Sequence, residues 1–350
     1  GFKSSSDMRI GWIALLVGLI GCSERQDTLD ANAYLTRVAR VLNMDVPVIS
    51  ATYVPRMQPK PRPLSDTRIA LTDALKLGPC GLVPLIAERN SSLGRQKAAS
   101  QQFLYEWSLA VGLDDCLAQA EGNSDWLRTA RAKKIGDREA ALWNLLFASE
   151  TSDALQSSLD SGDASLADAW HRYQLAFVEV RRSALLGLEG LSIPSSEHQS
   201  TFEQHIQALE TTRFHGQLRR ALLDTYRLVS VITPMQQQHI TRNTLCPLGK
   251  PTEQGRRVQG MLTTYFATEV QPHIAAIRRY QIELYALWQP LANSLDLPRP
   301  LDARMDHLLQ LPPGTNAAYA EALMTHIAQW QEILSGCQLS VALATTKTND

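Results

Sequence analysis

The chain is poor in the signatures that usually announce an enzyme. It has no G-x-G-x-x-G, no G-x-x-x-x-G-K-[ST] and no G-x-S-x-G, so nucleotide-phosphate binding and nucleophile-elbow hydrolysis have no support. It has no H-E-x-x-H and no C-x-x-C. Its histidines show no ligand spacing: His198 and His205 could share a helix face, but a metal site needs a third ligand, and both read as surface residues. No metal and no cofactor is expected. Charge of one sign is not in excess, with 34 basic against 35 acidic residues, which argues against a dedicated nucleic-acid binder. Long apolar runs are missing too: after residue 22 no segment reaches eighteen apolar residues, so no spanning helix is expected there. Runs of alternating strands, a βαβ rhythm and fixed-period repeats are also absent.

What is there begins with Met8 to Cys22, MRIGWIALLVGLIGC. Arg9 supplies a basic start, and the apolar run Ile10 to Ile20 is too short for a stable span of about 20 residues. The pattern matches a secretory segment ahead of a cleavage point. Leu19-Ile20-Gly21-Cys22 resembles the lipobox of bacterial lipoproteins. That resemblance implies cleavage before Cys22, a lipid thioether on its sulfur and an acylated new N-terminus. Several acyl chains, at about 0.8 kcal/mol per buried CH₂, make release negligible. Ser23, in place of Asp after the cysteine, implies onward sorting to the outer membrane, with the body facing the periplasm. Residues 1–7 read as an upstream extension, 8–21 as the signal peptide, and 22–350 as one periplasmic domain. Ser23 to Asp27 is a tether reaching only about 20 Å when extended.

Four further cysteines remain: Cys80, Cys116, Cys246 and Cys337. An even number in an oxidising compartment favours disulfides. Of three connectivities, Cys80–Cys116 and Cys246–Cys337 are preferred because each pair lies within one half of the chain; buried free thiols are the alternative.

Most of the remainder reads as helix. A first helix is expected over Leu29 to Asn43, capped by Thr28, with Leu35, Val38 and Leu42 on its buried face. Pro47 to Pro63 holds five prolines and favours an extended conformation. With Arg56, Lys60 and Arg62 it reads either as a docking segment for a proline-reading partner or anionic headgroups, or as a crossover strapped along the domain. The crossover is preferred because Val46, Val48, Ile49, Tyr53 and Val54 look buriable. Within Asp66 to Arg95, Leu71, Leu75, Leu82, Leu85 and Ile86 suggest two short helices bent at Gly78-Pro79.

A long helix is expected from Ser161-Gly162-Asp163, with Leu166, Trp170, Tyr173, Phe177, Val180 and Ala184 as a heptad-like seam. Pro194 and Ser195 are stop and cap signals, and Thr233-Pro234 kinks or ends a later helix. Residues 246–251 form a loop between halves. Another seam runs through Val270, Ile274, Ile277, Leu284, Trp288, Leu291 and Leu295, with Gln281 in one slot and an interruption at Pro272. The last helix carries Tyr319, Leu323, Ile327, Trp330, Leu334 and Cys337. The fold class is all-α: an antiparallel bundle of roughly eight to eleven helices in one body.

The stretch Glu88-Arg89-Asn90-Ser91, with Arg95 beyond it, is the first candidate for chemistry or binding. It gathers a carboxylate, a guanidinium, an amide and a hydroxyl where a helix ends. Burial there would raise the Glu88 pKa towards general-acid range. Glycoside hydrolysis also needs a second carboxylate roughly 5–10 Å away, and no partner can be named, so a salt-bridged, capped turn is the competing reading. The paired arginines at 181–182, 219–220, 256–257 and 278–279 read as solvated faces and interhelix ion pairs more than as an anion site. The tryptophans Trp107, Trp126, Trp143, Trp170, Trp288 and Trp330 read as core.

Together with the lipobox, Gly81 to Arg95 (GLVPLIAERNSSLGR) and Gln102-Phe103-Leu104-Tyr105-Glu106 resemble a family of Gram-negative lipoproteins known only as a domain of unknown function. The resemblance implies a lipid-anchored helical body and carries over no catalytic residue. Three functions are therefore weighed. The preferred one is a non-enzymatic outer-membrane lipoprotein that binds an envelope partner. The others are a glycan-acting hydrolase or transferase using Glu88 and Arg89, and a carrier of an apolar ligand between helices.

Overall fold

The computed structural model describes residues 29–49, 54–65, 80–91, 97–119, 125–157 and 165–341, and of Arg89 the backbone alone. Cys22, Thr28, Tyr53, Leu71, Leu75, Gly78-Pro79, Arg95 and Ser161 to Asp163 lie outside them. The described residues are helical and contain no strand. The order is α1 (Ala31–Leu42), α2 (Val83–Asn90), α3 (Ala99–Gln119), α4 (Asp125–Phe147), α5 (Glu150–Gln156), α6 (Leu166–Glu189), α7 (Ser196–Thr212) and α8 (Phe214–Arg242). Then follow α9 (Glu253–Met261), a π-helical segment (Leu262–Val270), α10 (Gln271–Ala292), α11 (Leu301–Leu308) and α12 (Thr315–Gly336). Residues 253–292 are one unbroken rod, so the described rods number eleven, as an all-α multi-helix bundle requires.

The expected seams form the core. Leu35, Val38 and Leu42 of α1, the six seam positions of α6, Tyr319, Leu323, Ile327, Trp330 and Leu334 of α12 and Cys337 at its C-cap are all buried. Helix starts follow local chemistry. Asp30, not Thr28, is the described N-cap of α1, accepting from Ala33 N at 2.9 Å. Ser165 caps α6 and Ser195 caps α7, each satisfying an amide that has no intrahelical partner. Pro234 does not end its helix; α8 runs through it to Arg242. Pro272 sits at the fresh start of α10, immediately after the π-helical segment. A residue with no N–H cannot donate to the preceding turn, and the change of hydrogen-bond register falls beside it.

A main core joins α1, α3 to α8, α9, the π segment, α10, α11 and α12. A smaller one places Leu82 and Ile86, at the start of α2, against Tyr105, Leu109 and Leu113 of α3 and Leu127 and Ala130 of α4. Cys80 pairs with Cys116, their Cα atoms 5.1 Å apart, which fastens α2 to α3. Cys246 pairs with Cys337, Cα atoms 5.2 Å apart, which fastens the loop after α8 to the end of α12. The preferred connectivity is the one formed.

Residues 54–65 cross the bundle without regular secondary structure, as a strap. The Asn144 side chain brackets Arg62: Arg62 N donates to its Oδ1 at 2.7 Å, and its Nδ2 donates to Arg62 O at 2.9 Å. The Arg62 guanidinium lies 4.7 Å from the Trp143 ring, and Arg56 pairs with Asp153. At the strap's end Ser65 donates through N and Oγ to Asp137. Asp137 in turn shares Lys134 with Glu106, at 2.7 and 3.2 Å, in a buried ionic cluster between α3 and α4. The crossover reading holds for these residues. Its apolar part needs correction: Val46 and Val48 are exposed, and Ile49 and Val54 pack on the core only in part. The segment is held by polar brackets more than by buried side chains.

Candidate functional site

The structure places Glu88, Asn90 and Ser91 at the C-terminal end of α2, all exposed. Glu88 is ion-paired with Lys97 at 2.9 Å, and Ser91 Oγ donates to Glu88 O at 2.7 Å. These bonds describe a capped, salt-bridged turn. Solvent on Glu88 removes the desolvation that a general acid would need. None of the three lines the groove under the strap described below. The Arg89 side chain and Arg95 lie outside the described residues.

A different place gathers walls and unsatisfied polar atoms. Under the strap, between Met57–Lys60, Trp143 of α4 and α11 with the loop that follows it, is a groove of about 480 Å³. That volume falls in the range of roughly 300–1,000 Å³ typical of small-molecule sites. Its lining is mostly apolar, with Leu311, Pro298 and Pro313 beside Trp143. Two bonds set its shape. Met57 N donates to Gln310 O at 2.8 Å, pinning the strap to the loop after α11. Gln310 itself has φ +51°, the left-handed region that lets α11 end and the chain reverse.

The floor of the groove is polar and buried. Asp306 is fully engaged: its Oδ2 accepts from Gly314 N at 2.7 Å, and its Oδ1 from Asn316 N at 2.9 Å and Asn316 Nδ2 at 2.6 Å. It thereby satisfies amides at the start of α12 and lies where the helix dipole favours negative charge. Gln310 is 2% exposed, and its Nε2 donates to Ser152 Oγ at 2.9 Å and Phe147 O at 3.3 Å. Gln310 Oε1 has no partner among the described residues, and neither has His307 Nε2. A buried polar atom left unmatched costs about 1–3 kcal/mol. The His307 ring stands edge-on to Phe147, centroids 4.7 Å apart. Burial first, and the nearby Arg62 charge second, push its pKa down, so it is neutral at pH 7.

Two other polar clusters were not visible in the sequence. Trp330 Nε1 donates to Tyr34 Oη at 3.2 Å; Tyr34 Oη lies 3.0 Å from His326 Nε2, and His326 Nδ1 lies 3.0 Å from Gln236 Oε1. Trp288 Nε1 donates to Tyr173 Oη at 2.8 Å; Tyr173 Oη lies 3.0 Å from His215 Nε2, and His215 Nδ1 lies 3.3 Å from Gln156 Nε2. The same four residue types recur. Gln236 Nε2 donates to His326 O, so its Oε1 faces a protonated Nδ1. Gln156 Nε2 donates to Leu308 O, beside the His215 ring. Both sets are closed in on themselves and read as core structure.

Each of the four arginine doublets contains an ion pair, but only Arg278–Asp302 joins two helices; the others lie within one helix. Arg182 pairs with Glu179, Arg220 with Asp224, Arg257 with Glu253, Arg278 with Asp302 and Arg279 with Glu283. Arg181 and Arg219 instead donate to the carbonyls of Leu287 and Gln156. Trp126 is the exception among the six tryptophans, being exposed. Among the described residues no helix is long and apolar enough to cross a membrane, and no group of three or more His, Cys, Asp or Glu side chains is placed to hold a metal.

The signal that could have led to the groove was compositional: the proline-rich 47–63 segment and Leu311-Pro312-Pro313-Gly314 form two of its walls. Gln310 Oε1 and His307 Nε2, unmatched among the described residues, had no sequence signal, because their burial depends on packing. No curated protein and no solved structure matches the chain. The profile of DUF3080, described as a protein of unknown function, matches residues 31–341, from the first turn of α1 to the last described residue, and the chain belongs to that family.

Proposed function

We propose that this is a non-catalytic binding protein of the bacterial envelope, a carrier that takes a small ligand in the groove beneath its strap. It is tethered to the outer membrane through acylated Cys22, with its helical body in the periplasm. The observation that carries the binding reading is the groove: apolar walls beside a buried acceptor, Gln310 Oε1, that has no match among the described residues. The address is supported by the lipobox resemblance and by two cysteine pairs at bonding distance, since disulfides persist in oxidising compartments. A hydrolase or transferase built on Glu88 and Arg89 gains no support from an exposed carboxylate held by Lys97.

Two measurements test this. Mass spectrometry of the mature N-terminal peptide should find acyl chains on Cys22; an unmodified sulfur there ends the tether. The fluorescent apolar probe N-phenyl-1-naphthylamine should bind the protein in lipid nanodiscs above the level of empty nanodiscs. Ala303→Trp, which fills the groove from an exposed position, should reduce the excess at least about five-fold. Undiminished binding to this variant would remove the groove from the reading.

A further inference from the structure

The groove's own atoms restrict what it takes, on the reading that it is a ligand site. The Gln310 amide has one orientation: Phe147 O can only accept, so Nε2 faces it and Oε1 is the spare atom. Gln310 Oε1 is an acceptor and needs a donor. His307 is held neutral, and its Nε2 either donates or accepts according to tautomer. A carboxylate ligand would set oxygen against Gln310 Oε1 with no proton between them. An ammonium would bring an unpaired charge into an apolar groove whose one floor carboxylate, Asp306, already accepts three N–H donors, and whose neighbour Arg62 is positive. With His307 Nε2 protonated, a hydroxyl serves both spare atoms at once, donating to Gln310 Oε1 and accepting from the imidazole. Trp143, Leu311 and the two prolines then face the rest of the ligand, which must be apolar.

We propose that the ligand is a neutral molecule with an apolar body ending in a hydroxyl, a phenol or alcohol, with the hydroxyl set between Gln310 Oε1 and His307 Nε2. Both residues line the groove, and both atoms are closed off from solvent. The ligand reaches them by displacing Met57, an unbranched side chain that is about half exposed.

The test is a matched pair of probes, 4-ethylphenol and 4-ethylanisole, titrated by ligand-observed NMR against the full protein in lipid nanodiscs, with empty nanodiscs as reference. The two differ by the hydroxyl proton. The phenol should bind at least about ten-fold more tightly. Gln310→Leu and His307→Phe should each bring the phenol towards the anisole and leave the anisole unchanged. If Gln310→Leu fails to fold, because it also loses its bonds to Ser152 and Phe147, the wild-type comparison and His307→Phe decide. Equal affinity for the two probes overturns the hydroxyl assignment and leaves the groove reading standing. No binding of either, with an ordered water bridging Gln310 and His307 in a crystal structure, overturns both.

Discussion

His215 and His326 are fully enclosed, and burial pushes the pKa of each down to about 3, against 6.5 for an ordinary histidine. Above pH 6.5 both are neutral whether the chain is folded or not, and stability is complete. As pH falls below 6.5 the unfolded chain takes up protons that the folded chain refuses. Stability should then drop by roughly 1.4 kcal/mol per pH unit for each histidine, down to about pH 3. Urea midpoints between pH 6.5 and 5 lie above the usual carboxylate range and read the histidines, with His198, His239 and His307, also pushed down by burial, adding to the slope in the same sense. His215→Gln with His326→Gln should flatten the slope, although the loss of their hydrogen bonds lowers stability throughout. A midpoint that does not move with pH in the unsubstituted protein would show that these imidazoles exchange protons in the folded state. Neither residue could be singled out from the sequence. His326 meets Tyr34 across 292 positions, and no local pattern reports such a distance.

At the scale of elements, α8 comes close to the backbone at the end of α5. A Cβ on Gly216 would lie 2.4 Å from Ser157 O and 2.5 Å from Gln156 O, both backbone atoms that cannot swing aside. Beside it Arg219 donates to Gln156 O at 2.8 Å and Oε1 at 2.9 Å, drawing the two helices together. Gly216→Ala would favour α8 by about 1 kcal/mol through helix propensity. Overpacking against backbone should outweigh that, for a net loss of about 1–3 kcal/mol. Thermal unfolding decides the sign, and a stabilised Gly216→Ala would show that α5 yields. The seams of α6, α10 and α12 were legible because a helix repeats its buried face every three to four residues. The strap was legible only as a breaker of helices. Its course over Trp143 and Asn144 is set by side chains more than eighty positions away.

For the whole molecule, the disulfides close loops of 36 and 91 residues. In the loop-entropy account these are worth roughly 4 and 5 kcal/mol against the unfolded chain. Cys246→Ser with Cys337→Ser should therefore lower stability by about 2–5 kcal/mol and make it insensitive to reductant at that site. A wild-type melting temperature unchanged by dithiothreitol under conditions that free all four thiols would contradict this.

The sequence by itself determined that the chain is helical, where most buried faces lie, which serine begins α7, and which cysteines share a half. Each of these depends on residues within a few positions of one another or on coarse separation along the chain. Tertiary structure alone decided that Glu88 stands in solvent while Gln310 Oε1 and His307 Nε2 are closed in with no partner among the described residues. Whether a polar side chain is wetted, bonded or stranded depends on what distant segments bring to it, and the desolvation that gives such an atom its energy exists only after they have packed.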